Sequence, residues 1–136
     1  MFELRITSDP RFLVIVRAVV SEFCGFFDCS PAEQRKVVLA VDEACTNIMR
    51  HTYRGDPSQC IEILCREDGA LLEIVLQDHG PPLDLDRIQP RNLDDIRPSG
   101  LGTHFIRTVM DEVTYTHKEG GGNILRMVKR FEEPSS

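Results

Sequence analysis

The stretch SPAEQRKVVLAVDEACTNIMRHTY, residues 30–53, predicts the helix from which the rest of the fold follows. Ser30 stands at the N-cap, Pro31 at the first helical position and Glu33 where a capping box requires it. The glycine and proline of RGDPS then end the helix near Tyr53. At about 100° of rotation per residue, one side of the helix collects six residues that we expect to face a sheet. These are Val37, Val38, Val41, Cys45, Ile48 and Thr52.

A polar stripe lies opposite this apolar side or beside it. Its members are Glu43, Asn47, Arg50 and His51. By itself such a stripe is typical of a solvated helix face. The stripe acquires a possible function only if other parts of the chain supply partners for it.

The remaining segments predict the order β-α-α-β-β-loop-α-β-β. FELRIT alternates as a strand, and Asp9-Pro10 opens a first helix that ends between Gly25 and Cys29. The Asp68-Gly69 turn joins the strands QCIEILCRED and ALLEIVLQD. After a long loop rich in proline and aspartate, GLGTHFIRTVMDEV predicts a glycine turn that opens a helix. A last hairpin turns at residues 119–122.

This order predicts an α+β protein, because the helices do not alternate with every strand. We expect a two-layer α/β sandwich, with the helices on one face of a mixed, mostly antiparallel sheet. Residues 1–131 form one domain in this interpretation, and residues 132–136, EEPSS, form a disordered tail.

Composition excludes several classes of protein. The 41% hydrophobic and 28% charged residues are ordinary for a globular chain, and a net charge of −6 disfavours direct nucleic-acid binding. The N-terminus does not resemble a signal peptide, and the apolar run FLVIVRAVV is too short to span a membrane. Five cysteines, an odd number, indicate reduced thiols buried as small hydrophobic groups rather than disulfides or a metal site. We expect a soluble, cytoplasmic protein.

Two short motifs supply the partners that the polar stripe lacks. QDHG places Asp78 and Gly80 at the end of an apolar strand, where a carboxylate can accept from an exocyclic amine and a glycine allows close approach. SGLGTHF places Gly100 and Gly102 before a helix, where free backbone N–H groups attract an anion. Each motif alone is also common turn chemistry.

Taken together, the three elements fit one ligand. The amide oxygen of Asn47 can bind Mg²⁺, which completes its shell with water and substrate phosphates. The Gly100–Gly102 turn can hold those phosphates, and Asp78 can recognise adenine. Glu43, one helical turn before Asn47, stands where a general base would accept a proton. The sequence therefore predicts a nucleoside-triphosphate site.

Four segments also resemble a known family. VDEACTNIMRHTY, LQDHGPP, SGLGTHFIRTVMDEVTY and ILRMVKR are similar, in this order, to the N box, first glycine box, second glycine box and closing strand of the anti-sigma factor serine/threonine kinases. That family belongs to the GHKL ATPase superfamily, with histidine-kinase catalytic domains, gyrase and Hsp90. The resemblance extends from the first strand to Arg130 and implies the GHKL, or Bergerat, ATPase fold.

The resemblance assigns roles to single positions. It implies that Glu43 is the catalytic base, Asn47 the Mg²⁺ ligand, and Asp78 the adenine-binding residue beside Gly80. It implies a mobile lid over residues 84–99. It assigns no role to Arg50 or His51, which we keep as accessory candidates because they share the polar stripe with Glu43 and Asn47. The phosphate-binding turn comprises Gly100, Leu101, Gly102 and Thr103.

The resemblance further implies an ATP- and Mg²⁺-dependent kinase, often a homodimer, that sequesters a sigma factor and phosphorylates a STAS-type antagonist of the anti-sigma factor. Three departures from the family pattern stand out, one of which is Thr103, where an aliphatic residue is commoner after the second glycine. Pro81-Pro82 follow Gly80 where a second glycine is frequent, and Asn123 stands where relatives often carry threonine. The proline pair motivates an alternative: an ATP-binding regulatory switch that binds a protein partner without significant kinase activity.

Overall fold

The computed structural model describes residues 1–82 and 98–131, with the backbone alone for residues 98–103. The strands are β1 (Phe2–Thr7), β2 (Cys60–Asp68), β3 (Leu71–Gln77), β4 (Glu112–His117) and β5 (Asn123–Arg130). The helices are α1 (Leu13–Cys24), α2 (Pro31–Asn47) and α3 (Pro98–Val109). The residues predicted to form most of the lid and the tail, 83–97 and 132–136, lie outside the described ranges.

The five strands form one sheet in the order β1-β2-β3-β5-β4. Each described neighbouring pair is antiparallel, so the sheet is antiparallel rather than mixed. Two tight hairpins, β2–β3 and β4–β5, impose opposite directions on their strands, and β3 pairs with the returning strand of the second hairpin. The α+β prediction is confirmed.

One face of the sheet carries the core. Cross-strand pairs such as Ile6↔Ile61, Ile63↔Leu76 and Ile74↔Met127 place apolar side chains in rows on this face. The strand residues buried here are Ile6, Ile61, Ile63, Cys65, Leu72, Ile74, Leu76, Leu125 and Met127. Helix α2 packs against both α1 and α3, and its buried residues join the same cluster. The helices therefore form one layer over one face, as predicted.

Helix α2 begins as the sequence predicts. The Ser30 hydroxyl accepts from the Glu33 N–H at 3.1 Å, and the Glu33 carboxylate accepts from the Ser30 N–H at 3.2 Å. At the start of α1 the outcome is mixed, because Asp9 caps the chain but residues Pro10–Phe12 form a 3-10 turn before the α-helix begins at Leu13. This boundary shift is within the usual range for helix ends.

The end of the second helix differs from the prediction. The α-helix ends at Asn47, and Ile48–Thr52 continue it as a π-helical turn. The Tyr53 N–H donates to the Ile48 carbonyl at 2.9 Å, five residues back. A single widened turn leaves the apolar spacing almost unchanged, so sequence periodicity could not reveal it.

The predicted start of α3, after Gly102, is too late in the sequence. The helix begins at Pro98, so Gly100, Leu101, Gly102 and Thr103 lie inside it rather than in a turn before it. Proline fits the first helical position because it has no N–H to lose. A proline at the first helical position also predicts the start of α2 at Pro31. At Pro98 the glycines that follow favoured a turn over a helix start.

The five cysteines are free, as predicted. Cys60 and Cys65 lie on opposite faces of β2, and Cys24, Cys45 and Cys65 are fully buried. Burial raises the pKa of the Cys45 thiol to about 12, which keeps it protonated and unreactive. Within residues 1–82 and 98–131, no cluster of three or more His, Cys, Asp or Glu could hold a metal. No helix in the same ranges is long and apolar enough to cross a bilayer.

Candidate functional site

Asp78 lies directly after β3 and is 2% exposed. Its Oδ1 accepts three hydrogen bonds: from the Gly80 N–H at 3.0 Å, the Asn123 N–H at 3.1 Å and the Asn123 Nδ2 at 2.9 Å. Its Oδ2 accepts none from the residues that the structure describes. One oxygen is therefore fixed by the protein, and the other is available to a donor group on a ligand.

Gly80 is required by a close approach of the chain to itself. A Cβ at this position would lie 2.3 Å from Cγ2 of Thr52, at the end of the π-helical turn. The sequence suggested that this glycine makes room for a ligand. The structure shows that it makes room for the end of the helix, which it brings beside Asp78.

Gly122 permits a second close approach, from the β4–β5 hairpin. Its φ is +101°, and a Cβ there would lie 2.3 Å from the Asp78 carbonyl oxygen. Two glycines thus allow two separate segments to pack against the Asp78 turn. Sequence reasoning located the hairpin but did not connect it to this turn.

Tyr53 links the end of the helix to the sheet through two hydrogen bonds. Its hydroxyl donates to the Cys60 carbonyl at 2.6 Å and accepts from the His79 N–H at 2.7 Å. The side chain is 6% exposed, and burial raises the pKa of its hydroxyl to about 12. Tyr53 therefore stays protonated and holds both partners. The sequence carried no signal for this role.

Asn123, the first residue of β5, is the second side chain that sequence reasoning left without a role. It is 4% exposed, and its Nδ2 donates both to Asp78 Oδ1 and to the Pro81 carbonyl, each at 2.9 Å. Its Oδ1 lies 3.1 Å from Nδ1 of His117. Asn123 therefore connects the turn after β3 to the edge hairpin.

Glu43 and Asn47 lie one turn apart on α2, and both are half-buried. Neither side chain forms a hydrogen bond or ion pair with any residue in the described part of the chain. The adjacent Asp42, by contrast, accepts from Arg17 Nη1 at 2.8 Å. A half-buried carboxylate and amide without protein partners are suited to binding a ligand.

The predicted polar stripe therefore divides into two parts. Arg50 and His51 lie on the π-helical turn and are exposed, whereas Asn47 and Glu43 are half-buried one and two turns earlier. Asn47 is the last α-helical residue. The π-helical turn that follows it ends at Thr52, which lies against Gly80. The structure brings the end of this helix to Asp78 and leaves Arg50 and His51 facing solvent.

The predicted phosphate-binding residues lie in the first turns of α3, which packs against α2. In a helix that starts at Pro98, the N–H groups of residues 99 and 100 have no acceptor within the helix, whereas Gly102 is far enough along to bond to the Pro98 carbonyl. The anion-binding end of the helix is therefore nearer Gly100 than Gly102.

A cavity of ≈ 520 Å³ lies elsewhere, between α1 and α2. It is lined by residues such as Arg17, Val38 and Leu39, and none of the predicted site residues borders it. This cavity is therefore separate from the Asp78 turn. The polar contacts identify the candidate site instead.

Comparisons with known proteins identify the family and the fold. The serine-protein kinase RsbW of Bacillus subtilis is 27% identical over 126 residues, which cover 87% of this chain and 79% of the relative. The SiaB-SiaC complex from Pseudomonas aeruginosa aligns with a TM-score of 0.67 at 17% identity, over 94% of this chain and 88% of that chain. The RsbU and RsbW domains of a Mycobacterium tuberculosis protein align with a TM-score of 0.64 at 17% identity.

The last alignment covers 99% of this chain and only 34% of the larger one, and likenesses at 17% identity establish the fold alone. A family model matches most of the sequence as well and identifies the family. The model described as "Histidine kinase-like ATPase domain" matches residues 6–129, which include every predicted site residue. The chain therefore belongs to the histidine kinase-like ATPase domain family.

Proposed function

We propose that this protein is an ATP- and Mg²⁺-dependent serine/threonine kinase that sequesters a sigma factor and phosphorylates an anti-sigma factor antagonist. One observation carries the proposal: Glu43 and Asn47 are half-buried, have no partner among the described residues, and precede the helix end that contacts the Asp78 turn. The similarity to the RsbW serine-protein kinases supports the choice of a protein hydroxyl as phosphate acceptor.

The residues present fit a bound nucleotide. Asp78 would accept from the exocyclic amine of adenine through Oδ2, and the N-terminal turn of α3, where the N–H groups of residues 99 and 100 have no acceptor within the helix, would hold phosphates. Asn47 would supply one oxygen to Mg²⁺, whose other ligands would be water and phosphate, as is usual for this ion. When bound, ATP would supply the phosphoryl group, and Mg²⁺ would neutralise negative charge on the phosphates.

Glu43 has the remaining chemical role in this proposal. Its carboxylate would accept the proton of the serine or threonine hydroxyl of the antagonist as that oxygen bonds to the γ-phosphorus of ATP and the bond from that phosphorus to ADP breaks. Its half-buried position restricts competing contact with water, and no ion pair with a residue in the described ranges occupies its carboxylate. We assign Arg50 and His51 accessory roles in contact with a partner, because both are exposed beside the site.

A matched pair of variants on α2 tests the role of Glu43. We expect Glu43→Gln to reduce phosphate transfer to a purified STAS-type antagonist by roughly 10²–10⁴-fold, since general-base catalysis contributes that much. ADP affinity should change little. Asp42→Asn, one residue away, removes a carboxylate that pairs with Arg17 and should retain transfer. Transfer from labelled ATP at an unchanged rate in Glu43→Gln would refute the assignment.

The alternative is a nucleotide-responsive switch that holds a protein partner without transferring phosphate. Pro81-Pro82 favour it, because proline removes backbone donors from the turn beside Asp78. The switch predicts that the wild-type chain binds ADP and ATP but phosphorylates no antagonist domain. Sedimentation of the protein alone and with a sigma factor would test the proposed homodimer and its partner in the same preparation.

A further inference from the structure

We propose that Asn123 is a positioning residue that orients Asp78, fixes the turn through Pro81, and thereby sets the preference for adenine. The contacts that support this exist within the protein itself. Only the identity of the ligand rests on the proposed function.

Asn123 and Asp78 form a closed set of hydrogen bonds. The Asp78 N–H donates to the Asn123 carbonyl at 3.0 Å, and the Asn123 N–H and Nδ2 both donate to Asp78 Oδ1. Two of the three donors on Oδ1 therefore come from one residue, 45 positions along the chain. Both residues are almost fully buried, at 4% and 2% exposure, so water does not compete for these bonds.

The same NH₂ group also fixes Pro81. One hydrogen of Nδ2 is directed to Asp78 and the other to the Pro81 carbonyl, which sets the distance between the carboxylate and the turn. Proline has no N–H with which to hold the turn after Gly80. A threonine at position 123 has a single hydroxyl hydrogen and could donate to only one of the two acceptors. The asparagine amide donates to both acceptors at once.

His117 fixes the orientation of the amide. Since Nδ2 must donate to two acceptors, Oδ1 is the atom that faces His117 Nδ1 at 3.1 Å, and Nδ1 carries the hydrogen. His117 and Asn123 are direct cross-strand partners in β4 and β5. A flip that exchanged the amide oxygen and nitrogen would lose the hydrogen bonds to Asp78, Pro81 and His117, and it is therefore disfavoured.

This arrangement has a consequence for ligand choice. With Oδ1 held by three donors, Oδ2 is the oxygen left to accept from a base. Adenine presents an amine donor to an acceptor, whereas guanine presents a carbonyl oxygen at the corresponding position and would be repelled. A loosened Asp78 could rotate and lose this discrimination.

Three variants on one strand test the role. We expect Asn123→Ala to reduce the ratio of ADP to GDP affinity at least about tenfold, or about 1.4 kcal/mol. The isosteric Asn123→Asp removes both donors and should reduce the ratio further. Ile124→Ala, on the opposite face of the strand, should leave the ratio unchanged. Calorimetric titration with ADP and with GDP measures it.

A second measurement does not depend on nucleotide. The Gly80 N–H is held by Asp78 Oδ1, so its hydrogen exchange in the ligand-free protein should accelerate at least about tenfold in Asn123→Ala and stay unchanged in Ile124→Ala. Failure of the wild-type protein to bind ADP would refute the proposed function, while Gly80 exchange would still decide the positioning role. Wild-type exchange and wild-type ADP preference in Asn123→Ala would overturn the inference.

Discussion

The close approach of Gly80 to Thr52 predicts that a methyl group added at residue 80 destabilises the protein. It also predicts that removing a methyl group from Thr52 relieves this destabilisation. An ideal Cβ on residue 80 lies 2.3 Å from Thr52 Cγ2, whereas ordinary contacts begin at 3.4 Å. Thr52 is 7% exposed and belongs to the helix end, so it cannot move into solvent without disturbing the turn. We therefore expect Gly80→Ala to destabilise the protein.

The magnitude follows from two opposing effects. Inserting a methyl into a packed site costs about 1–3 kcal/mol. Gly80 is not among the glycines with positive φ, so alanine can adopt its backbone conformation and gains about 0.4–1 kcal/mol from a less flexible unfolded chain. The net loss in the free energy of unfolding should be roughly 1–2 kcal/mol.

A second substitution isolates the contact. Thr52→Ser removes Cγ2 but keeps the hydroxyl, and by itself should cost about 1 kcal/mol for the lost buried methyl. In the double variant the new methyl occupies the vacated space. We expect its destabilisation to be about 1–2 kcal/mol smaller than the sum of the two single changes, because the residues are in contact.

Urea unfolding of the wild type, the two single variants and the double variant, followed by circular dichroism, measures the coupling. The comparison requires that the free energy of unfolding falls with urea concentration at the same slope in all four proteins. Additive single changes, or a loss below about 0.5 kcal/mol in Gly80→Ala, would refute the proposed packing of the turn against the helix end.

Two further predictions concern Tyr53 and alkaline pH. Tyr53→Phe leaves the Cys60 carbonyl and the His79 N–H without their partner and should lower the free energy of unfolding by about 1–3 kcal/mol, whereas Ser58→Ala, which removes an exposed hydroxyl, should cost less than about 0.5 kcal/mol in the same urea assay. Burial raises the pKa of Tyr53 from 10.0 to about 12 and that of Cys24, Cys45 and Cys65 from 9.0 to about 12, so stability is fully present below pH 9 and is lost as pH rises towards 12. A urea midpoint that stayed constant from pH 9 to 12 would contradict this burial.

The sequence alone determined the local features of this protein. The capping box at Ser30, the turn at Gly69 and the alternation of β2 and β3 each depend on residues a few positions apart, and each was confirmed. Asp78 and Gly80 were recognised as candidate site residues for the same reason, because they directly follow an apolar strand. The family match likewise comes from the sequence, over residues 6–129.

Only the tertiary structure decided what those residues touch. It assigned Gly80 to packing against Thr52, tied Tyr53 to both Cys60 and His79, and gave Asp78 its donors from Asn123. These contacts join residues far apart in sequence, where no periodicity or cap relates one side chain to another. Chain folding brings them within hydrogen-bonding distance, and burial then makes each polar partner necessary, because an unpaired buried donor or acceptor costs about 1–3 kcal/mol.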